Sequence, residues 1–178
     1  MNSHYFDIRF SDMKNFMINQ LFMKIHGFIK EKGINISIDL PNMVNDEFDC
    51  NLGNTLRIFG TLDNLELLRS EKRISVFIDH VSGVRYTNIK PVPSNHAFVS
   101  LKRYRWVDKQ KKRDNHRYPY LMYNKKIDVK GQVDENGKEF YDIKRIRFYL
   151  SRQISNVKGA EEYTSYGLCK EGSTVPMF

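Results

Sequence analysis

The chain has 178 residues, of which 40% are hydrophobic and 13% aromatic, and it carries a formal net charge of +8. This composition excludes a disordered basic tail, and the length suits one domain or two small ones. The first residues lack the pattern of a signal peptide and no apolar run is long enough to span a bilayer, so we expect a cytoplasmic protein.

The first 40 residues predict a strand, a helix and a second strand. His4–Phe10 alternates, as a half-buried strand does. Ser11 or Asp12 can cap the helix that follows, and Gly33 can end it. The apolar residues of this helix recur at spacings of three and four and predict one broad face: Met13, Phe16, Met17, Leu21, Ile25, Phe28 and Ile29. Residues 34–40 alternate again and predict the second strand.

The next 50 residues complete a β-α-β-β-α-β order. Residues 41–54 are polar and rich in turn formers, which predicts a surface loop. Thr55–Gly60 predicts a third strand, Thr61 an N-cap for a short helix, and the alternation in residues 73–80 a fourth strand. This order is typical of the ferredoxin-like unit, so the predicted class is α+β, with a ferredoxin-like domain over residues 1–93.

The second half predicts a smaller C-terminal domain over residues 94–178. The prolines and small polar residues at 90–95 are typical of a linker. Residues 98–106 predict an extended edge segment, and Asp108 a cap for a short basic helix. An Asn-Gly turn in DENGK, residues 134–138, predicts a hairpin between strands near residues 127–133 and 140–150.

Positive charge is concentrated in one stretch of this second half. Residues 1–90 hold eleven Lys or Arg and eleven Asp or Glu, whereas residues 91–178 hold eighteen and ten. The sequence KRYRWVDKQKKRDNHR, residues 102–117, alone holds eight cations against two Asp, with a Tyr and a Trp among them. Such a mixture suits RNA, because cations neutralise phosphates and flat rings stack on bases, although a solvated charge run has the same composition. The candidate RNA-binding residues are Lys102, Arg103, Arg105, Lys109, Lys111, Lys112, Arg113 and Arg117.

The histidines and cysteines give no metal-binding pattern. Cys50 and Cys169 stand alone, and no two of the five histidines have the spacing of metal ligands, so we expect no metal cofactor. His26 is the candidate for catalysis, since it lies at the edge of the apolar face of the first helix. A neutral imidazole, which ordinarily titrates near pH 6.5, can take the proton of a ribose 2′-hydroxyl. The alternative is a packing residue without a catalytic role.

The C-terminal residues YTSYGLCKEGSTVPMF predict a tail that docks on the body of the protein. Tyr166 and Gly167 predict a turn that presents a phenol. A core tyrosine with a satisfied hydroxyl is the alternative for Tyr166.

These segments together resemble a known family. The chain is similar to the CRISPR-associated repeat-RNA endoribonucleases of the Cas-six family, in particular to the type I-F branch, also called the Csy-four group. The resemblance runs in order from residue 4 to residue 178 and is most specific at the two ends. Its segments are HYFDIR, LFMKIHGF, INISIDLP, LGNTLRIFG, SYGL and VPMF.

The resemblance implies metal-independent cutting of the CRISPR repeat transcript at the 3′ base of its stem-loop. The products implied are a 5′-hydroxyl and a 2′,3′-cyclic or 3′ phosphate, and the enzyme would stay on the hairpin as a subunit of the type I-F surveillance complex. By the same resemblance, His26 is the general base and Tyr166 helps to hold it. Phe140 falls near the aromatic residue that packs on a nucleotide beside the cut.

Two departures from the family pattern raise an alternative. The type I-F members usually carry a serine before the hairpin turn, whereas the corresponding run here is Lys130, Gly131, Gln132 and Val133. Without this serine, either cleavage is slow, or another donor such as Lys130 or Gln132 orders the ribose, or the chain holds the guide-RNA hairpin without cutting it. The basic segment is also rich in lysine, which lacks the bidentate fork of arginine. A third alternative is a general basic RNA-binding protein.

Overall fold

The computed structural model describes residues 2–11, 15–45, 49–104, 119–133 and 139–178; for residues 15, 123–133, 139–142 and 145 it describes the backbone alone. Within these ranges the helices are α1 (Asn15–Lys32), α2 (Leu62–Ser70) and α3 (Lys72–His80). The strands are β1 (His4–Phe10), β2 (Ser37–Asp39), β3 (Val44–Asn45), β4 (Cys50–Asn51), β5 (Thr55–Gly60), β6 (Val84–Tyr86), β7 (Lys90–Pro91), β8 (Ala97–Arg103), β9 (Tyr120–Val133), β10 (Glu139–Ser155) and β11 (Val175–Met177). The predicted α+β class is confirmed.

The first sheet has the strand order β2-β5-β1-β6, and β7 pairs with the start of β1. All of these pairings are antiparallel. The bounds predicted for β1 and β5 are confirmed, as is Thr61 as the cap of α2, whose hydroxyl accepts from the N–H of Asn64 at 3.3 Å. Apolar side chains of β1 and α1, such as Ile8 and Ile25, are fully buried in one cluster. This packing fixes the helix that carries His26 against the centre of the sheet.

Residues 73–80, predicted as the fourth strand, form helix α3 instead. Its buried residues are Ile74, Phe77 and Ile78, and their spacing of three and four is that of a helix. The prediction rested on the alternation through Val76, which is exposed. The strand that pairs with β1 after this helix is β6.

The apolar face predicted for α1 is confirmed over most of its length, and Met13 lies outside the described residues. Leu21, Ile25, Phe28 and Ile29 are buried, as the spacing requires. The prediction was wrong for Phe16, which is 67% exposed because it lies in the first turn, before the helix reaches the core. The other end is as predicted, since Gly33 follows the last helical residue.

The second sheet has the strand order β11-β8-β10-β9. Strand β8 lies between β11 and β10, so the prediction of an edge segment was wrong. The two hairpin strands are both longer than predicted, and the Asn-Gly turn lies outside the described residues. Two predicted irregular stretches also contain short strands: residues 41–54 hold the β3–β4 hairpin, and residues 90–95 begin with β7.

The two sheets share a hydrophobic core. Leu101, Leu121 and Phe148 of the second sheet are buried in the same cluster as the apolar face of α1. A buried ion pair also joins the sheets, because the guanidinium of Arg152 donates to both carboxylate oxygens of Asp39, at 2.8 and 2.9 Å. A division of the chain into residues 1–93 and 94–178 stays a prediction.

We expect the substitution Asp39→Ala to lower the free energy of unfolding by about 3–5 kcal/mol, because it leaves a buried charge without its partner. The side chains of Asp39 and Arg152 are only 1% and 14% exposed. Urea unfolding measures the effect. In the control Glu162→Ala, which breaks an exposed pair with Lys170, the loss should be below about 1 kcal/mol. An equal effect of both substitutions would contradict the prediction.

Candidate active site

His26 is held by a hydrogen bond to the backbone of a distant loop. Its side chain is partly exposed on α1, and its Nδ1 lies 2.7 Å from the carbonyl oxygen of Ser165. A carbonyl oxygen can only accept, so Nδ1 carries the proton and donates it to this bond. In the neutral ring, Nε2 is then left with a free lone pair and can accept a proton. The hydrogen bond thus selects the tautomer that a general base requires.

The loop that presents this carbonyl is a tight turn. The N–H of Gly167 donates to the carbonyl of Thr164 at 2.8 Å, and the carbonyl of Gly167 accepts from the N–H of Ile38 in β2 at 2.9 Å. Gly167 has a φ of +72°, and a Cβ added there would lie 2.9 Å from Cγ1 of the fully buried Ile38. Only glycine fits this backbone without strain. The turn predicted at Tyr166 and Gly167 is therefore confirmed, and it is fixed to the first sheet.

The ring of Tyr166 stacks face to face on the imidazole of His26. The ring centroids are 3.7 Å apart and the planes differ by 9°. Tyr166 is also parallel to Phe22, one turn earlier on α1, at 6.1 Å, and packs against Phe148 of β10 at 5.0 Å. The imidazole plane is thus fixed by an aromatic cluster, in addition to its hydrogen bond with Ser165.

One of the predicted RNA-binding residues lies beside this cluster. The guanidinium carbon of Arg103 is 4.6 Å from the ring centroid of Phe148, a cation–π contact. Contacts thus run from Arg103 through Phe148 and Tyr166 to His26. Side chains alternate along a strand, so Lys102 points to the other face of β8, where its Nζ lies 3.5 Å from the carboxylate of Glu171. The structure therefore brings Arg103, but not Lys102, to the His26 site.

A family model described as CRISPR-associated protein (Cas_Csy4) matches residues 5–178. This is all of the chain except its first four residues, and it includes both His26 and the turn at Tyr166. The chain belongs to the Csy4 family. Proteins of this family are RNA-binding nucleases that process CRISPR RNA. No curated protein matches the chain.

Most of the predicted RNA-binding side chains of this Csy4-family chain lie outside the described residues. They are Arg105, Lys109, Lys111, Lys112, Arg113 and Arg117. Phe140 lies in β10, and the run from Lys130 to Val133 lies in β9, but only the backbone is described there. The roles of all these residues stay predictions.

Sequence reasoning missed two groups at this site, one that contacts His26 and one that contacts Tyr166. One is the Ser165 carbonyl, a backbone group that residue type does not reveal; the only available signal was the glycine two positions later. The other is Phe148, which packs against Tyr166 from the strand predicted near residues 140–150. Phe148 is buried, but the alternation of a strand cannot say which side chain another element contacts.

The described part of this Csy4-family chain lacks two features. No group of three or more His, Cys, Asp or Glu side chains there is arranged to hold a metal ion. No helix in those ranges has the length and apolar character needed to cross a bilayer.

Proposed function

We propose that this Csy4-family chain is a metal-independent endoribonuclease that cuts CRISPR repeat transcripts at the 3′ base of the repeat stem-loop. The observation that carries the proposal is the 2.7 Å hydrogen bond from His26 Nδ1 to the Ser165 carbonyl, which leaves Nε2 as a base. A 2′-hydroxyl activated by this nitrogen is a nucleophile within the RNA itself, so the protein has to supply only proton transfer and positioning.

The proposed reaction is a transesterification. Nε2 of His26 takes the proton of the 2′-hydroxyl just upstream of the cut, and the 2′-oxygen attacks the adjacent phosphorus. The bond from phosphorus to the 5′-oxygen of the next nucleotide breaks as the new bond forms, and this oxygen takes up a proton. The products are a 2′,3′-cyclic phosphate and a 5′-hydroxyl. No redox step is involved.

Tyr166 and Ser165 are positioning residues in this proposal. The stacked Tyr166 ring prevents the imidazole from tilting, and the Ser165 carbonyl prevents it from rotating in its plane. These two restraints act in different directions, which supports an orienting role for the loop. A phosphate near the site is also supported, because only the rings of Phe148 and Tyr166 lie between Arg103 and His26.

The basic segment would hold the stem of the RNA hairpin. The groove of A-form RNA that a helix would enter is deep and narrow, so we expect contacts with phosphates and shape along residues 102–117. Arg103 and Arg105 would reach guanine edges near the hairpin base, and Phe140 would pack on a nucleotide beside the cut. After the cut the enzyme would remain on the 3′ hairpin as a subunit of the type I-F surveillance complex.

The architecture supports the same proposal. We propose a ferredoxin-like domain over residues 1–93 and an RNA-hairpin-binding domain over residues 94–178. The antiparallel strand order β2-β5-β1-β6 supports the first, because the two strand–helix–strand units interleave in it. A cellular transcript as the substrate supports a location in the cytoplasm.

The second candidate is a subunit that holds the guide-RNA hairpin without cutting it. The absence of a serine between Lys130 and Val133 favours it, since no hydroxyl is present there to order the ribose.

Product analysis of a repeat RNA distinguishes the two functions. We expect the purified chain to convert an end-labelled repeat RNA into two fragments, cut at the 3′ base of the stem. The upstream fragment should end in a 2′,3′-cyclic phosphate, because the 2′-oxygen is the nucleophile. Intact RNA at saturating protein would establish the holding function instead, and an upstream 3′-hydroxyl would overturn the mechanism.

A further inference from the structure

A groove of about 300 Å³ lies next to the loop that holds His26. One wall is the last turn of α1 with the residues after it, and the other is residues 163–165. Ser165 thus belongs both to the groove and to the hydrogen bond with His26. Lys30 also lines the groove, four residues after His26 on the same face of the helix. The groove is therefore continuous with the proposed active site.

The lining of this groove suits a nucleotide. Ile29 and Ile34 give it an apolar surface, while Thr164 and Ser165 give polar groups. None of the described residues that line it is acidic. A small apolar cleft with a few polar groups and one cation can take a base on its apolar part and a phosphate at the cation.

Lys30 is available for that phosphate. It is exposed and forms no ion pair with another residue in the described ranges. Lys32, two residues further on the same helix, differs in both respects, because it pairs with Glu31 at 3.5 Å and does not line the groove. Position and charge thus single out Lys30 on this part of α1.

The surroundings of His26 differ toward the two ends of α1, and this difference predicts in which direction the RNA strand runs. Tyr166 covers α1 from His26 back toward Phe22, and Arg103 reaches this cluster through Phe148. The groove lies in the opposite direction along α1, toward Gly33. If the stem is held on the Arg103 side, the strand that continues past the cut leaves on the side of the groove.

We propose that this groove binds the first single-stranded nucleotide on the 3′ side of the cut, with Lys30 on the phosphate that links it to the following nucleotide. This inference rests on the proposed function, since it assumes that the scissile phosphate lies at His26. It adds a subsite for the leaving strand to the stem-holding role proposed for residues 102–117. Binding there would align the 5′-oxygen that departs.

Two uncleavable RNAs test the subsite. Both carry the repeat stem-loop with a 2′-deoxy sugar upstream of the cut; one ends at the cut and the other continues for four nucleotides. We expect the extension to tighten binding to the wild-type chain by about fivefold, the order of one exposed charge contact. Lys30→Gln should remove this gain, and Lys30→Arg should keep it. Lys32→Gln is the matched control and should keep it as well.

The outcomes separate the subsite from the proposed function. The subsite is overturned if the extension tightens binding to Lys30→Gln as much as to the wild-type chain, or if it does not tighten binding to the wild-type chain at all. Either result counts even if all-ribose RNA is cut. If all-ribose RNA is not cut but the gain depends on Lys30, the subsite stands and the proposed reaction fails. Lys30 is exposed, so its variants should melt with the wild-type chain, and a melting curve of each verifies that they fold.

Discussion

Replacement of His26 by alanine is expected to lower the single-turnover cleavage rate by about 10²–10⁴-fold, the usual contribution of a general base. The cause is the loss of Nε2, the nitrogen that the Ser165 hydrogen bond leaves free to accept a proton. The affinity for the uncleavable stem-loop should change by less than about twofold, because the imidazole acts on the reaction and not on the stem. Quench assays with enzyme in excess give the rate, and filter binding gives the affinity.

The chain contains a matched control for this substitution. His96 donates from Nδ1 to the carbonyl oxygen of Pro93 at 2.7 Å, the same kind of bond that His26 makes. It packs edge-on against Phe98, and no tyrosine of the described residues stacks on it. His96→Ala should therefore cut at the wild-type rate. Equal rates for His26→Ala and the wild-type chain would show that His26 is a packing residue at the helix edge.

Replacement of Tyr166 by alanine should lower the same rate by up to about 10²-fold, because a misplaced base loses the alignment on which the reaction depends. Tyr166→Phe keeps the ring that stacks at 3.7 Å on His26, so its rate should stay within about threefold of wild type. Comparison of the two variants in single-turnover assays separates the ring from the hydroxyl. A loss in Tyr166→Phe as large as that in Tyr166→Ala would assign the role to the hydroxyl.

Tyr163, three residues before Tyr166, serves as the control. Here the hydroxyl is expected to matter, and for stability instead of cleavage. Burial raises its pKa, so the hydroxyl stays protonated and donates to the carbonyl of Thr174 at 3.0 Å, while it accepts from Asn2 at 2.6 Å. Tyr163→Phe leaves both partners without this hydroxyl and should reduce stability by about 1–3 kcal/mol. Phenylalanine keeps the ring that lines the groove, so the cleavage rate of the folded protein should not change.

Local sequence patterns were enough to predict the main elements of the first sheet and its first two helices. The alternation of β1, the apolar spacing of α1 and the Thr61 cap each depend on neighbouring residues, and the structure has all three. The apolar residues in 73–80 fit both the period of a strand and the period of a helix. Which of the two structures such a short segment forms depends on what it packs against. Ile74, Phe77 and Ile78 are buried while Val76 is exposed, which fits the period of a helix and not that of a strand.

The pairing of His26 with Tyr166 could be predicted only by resemblance to a family. The hydrogen bond to Ser165 spans 139 residues, and no spacing rule reaches that far. Composition suggested an RNA-binding stretch, but it treated Lys102 and Arg103 as equivalent. The strand places them on opposite faces, with Arg103 on Phe148 and Lys102 near Glu171.

The most direct test of the central claim is the cleavage of a labelled repeat RNA in excess EDTA, beside the same RNA with a 2′-deoxy sugar just upstream of the cut. The His26 mechanism predicts that the all-ribose RNA is cut in EDTA at its ordinary rate. The deoxy RNA should be bound with similar affinity and stay intact, because the nucleophile is missing. Cleavage of the deoxy RNA, or loss of all cleavage in EDTA, would contradict the mechanism.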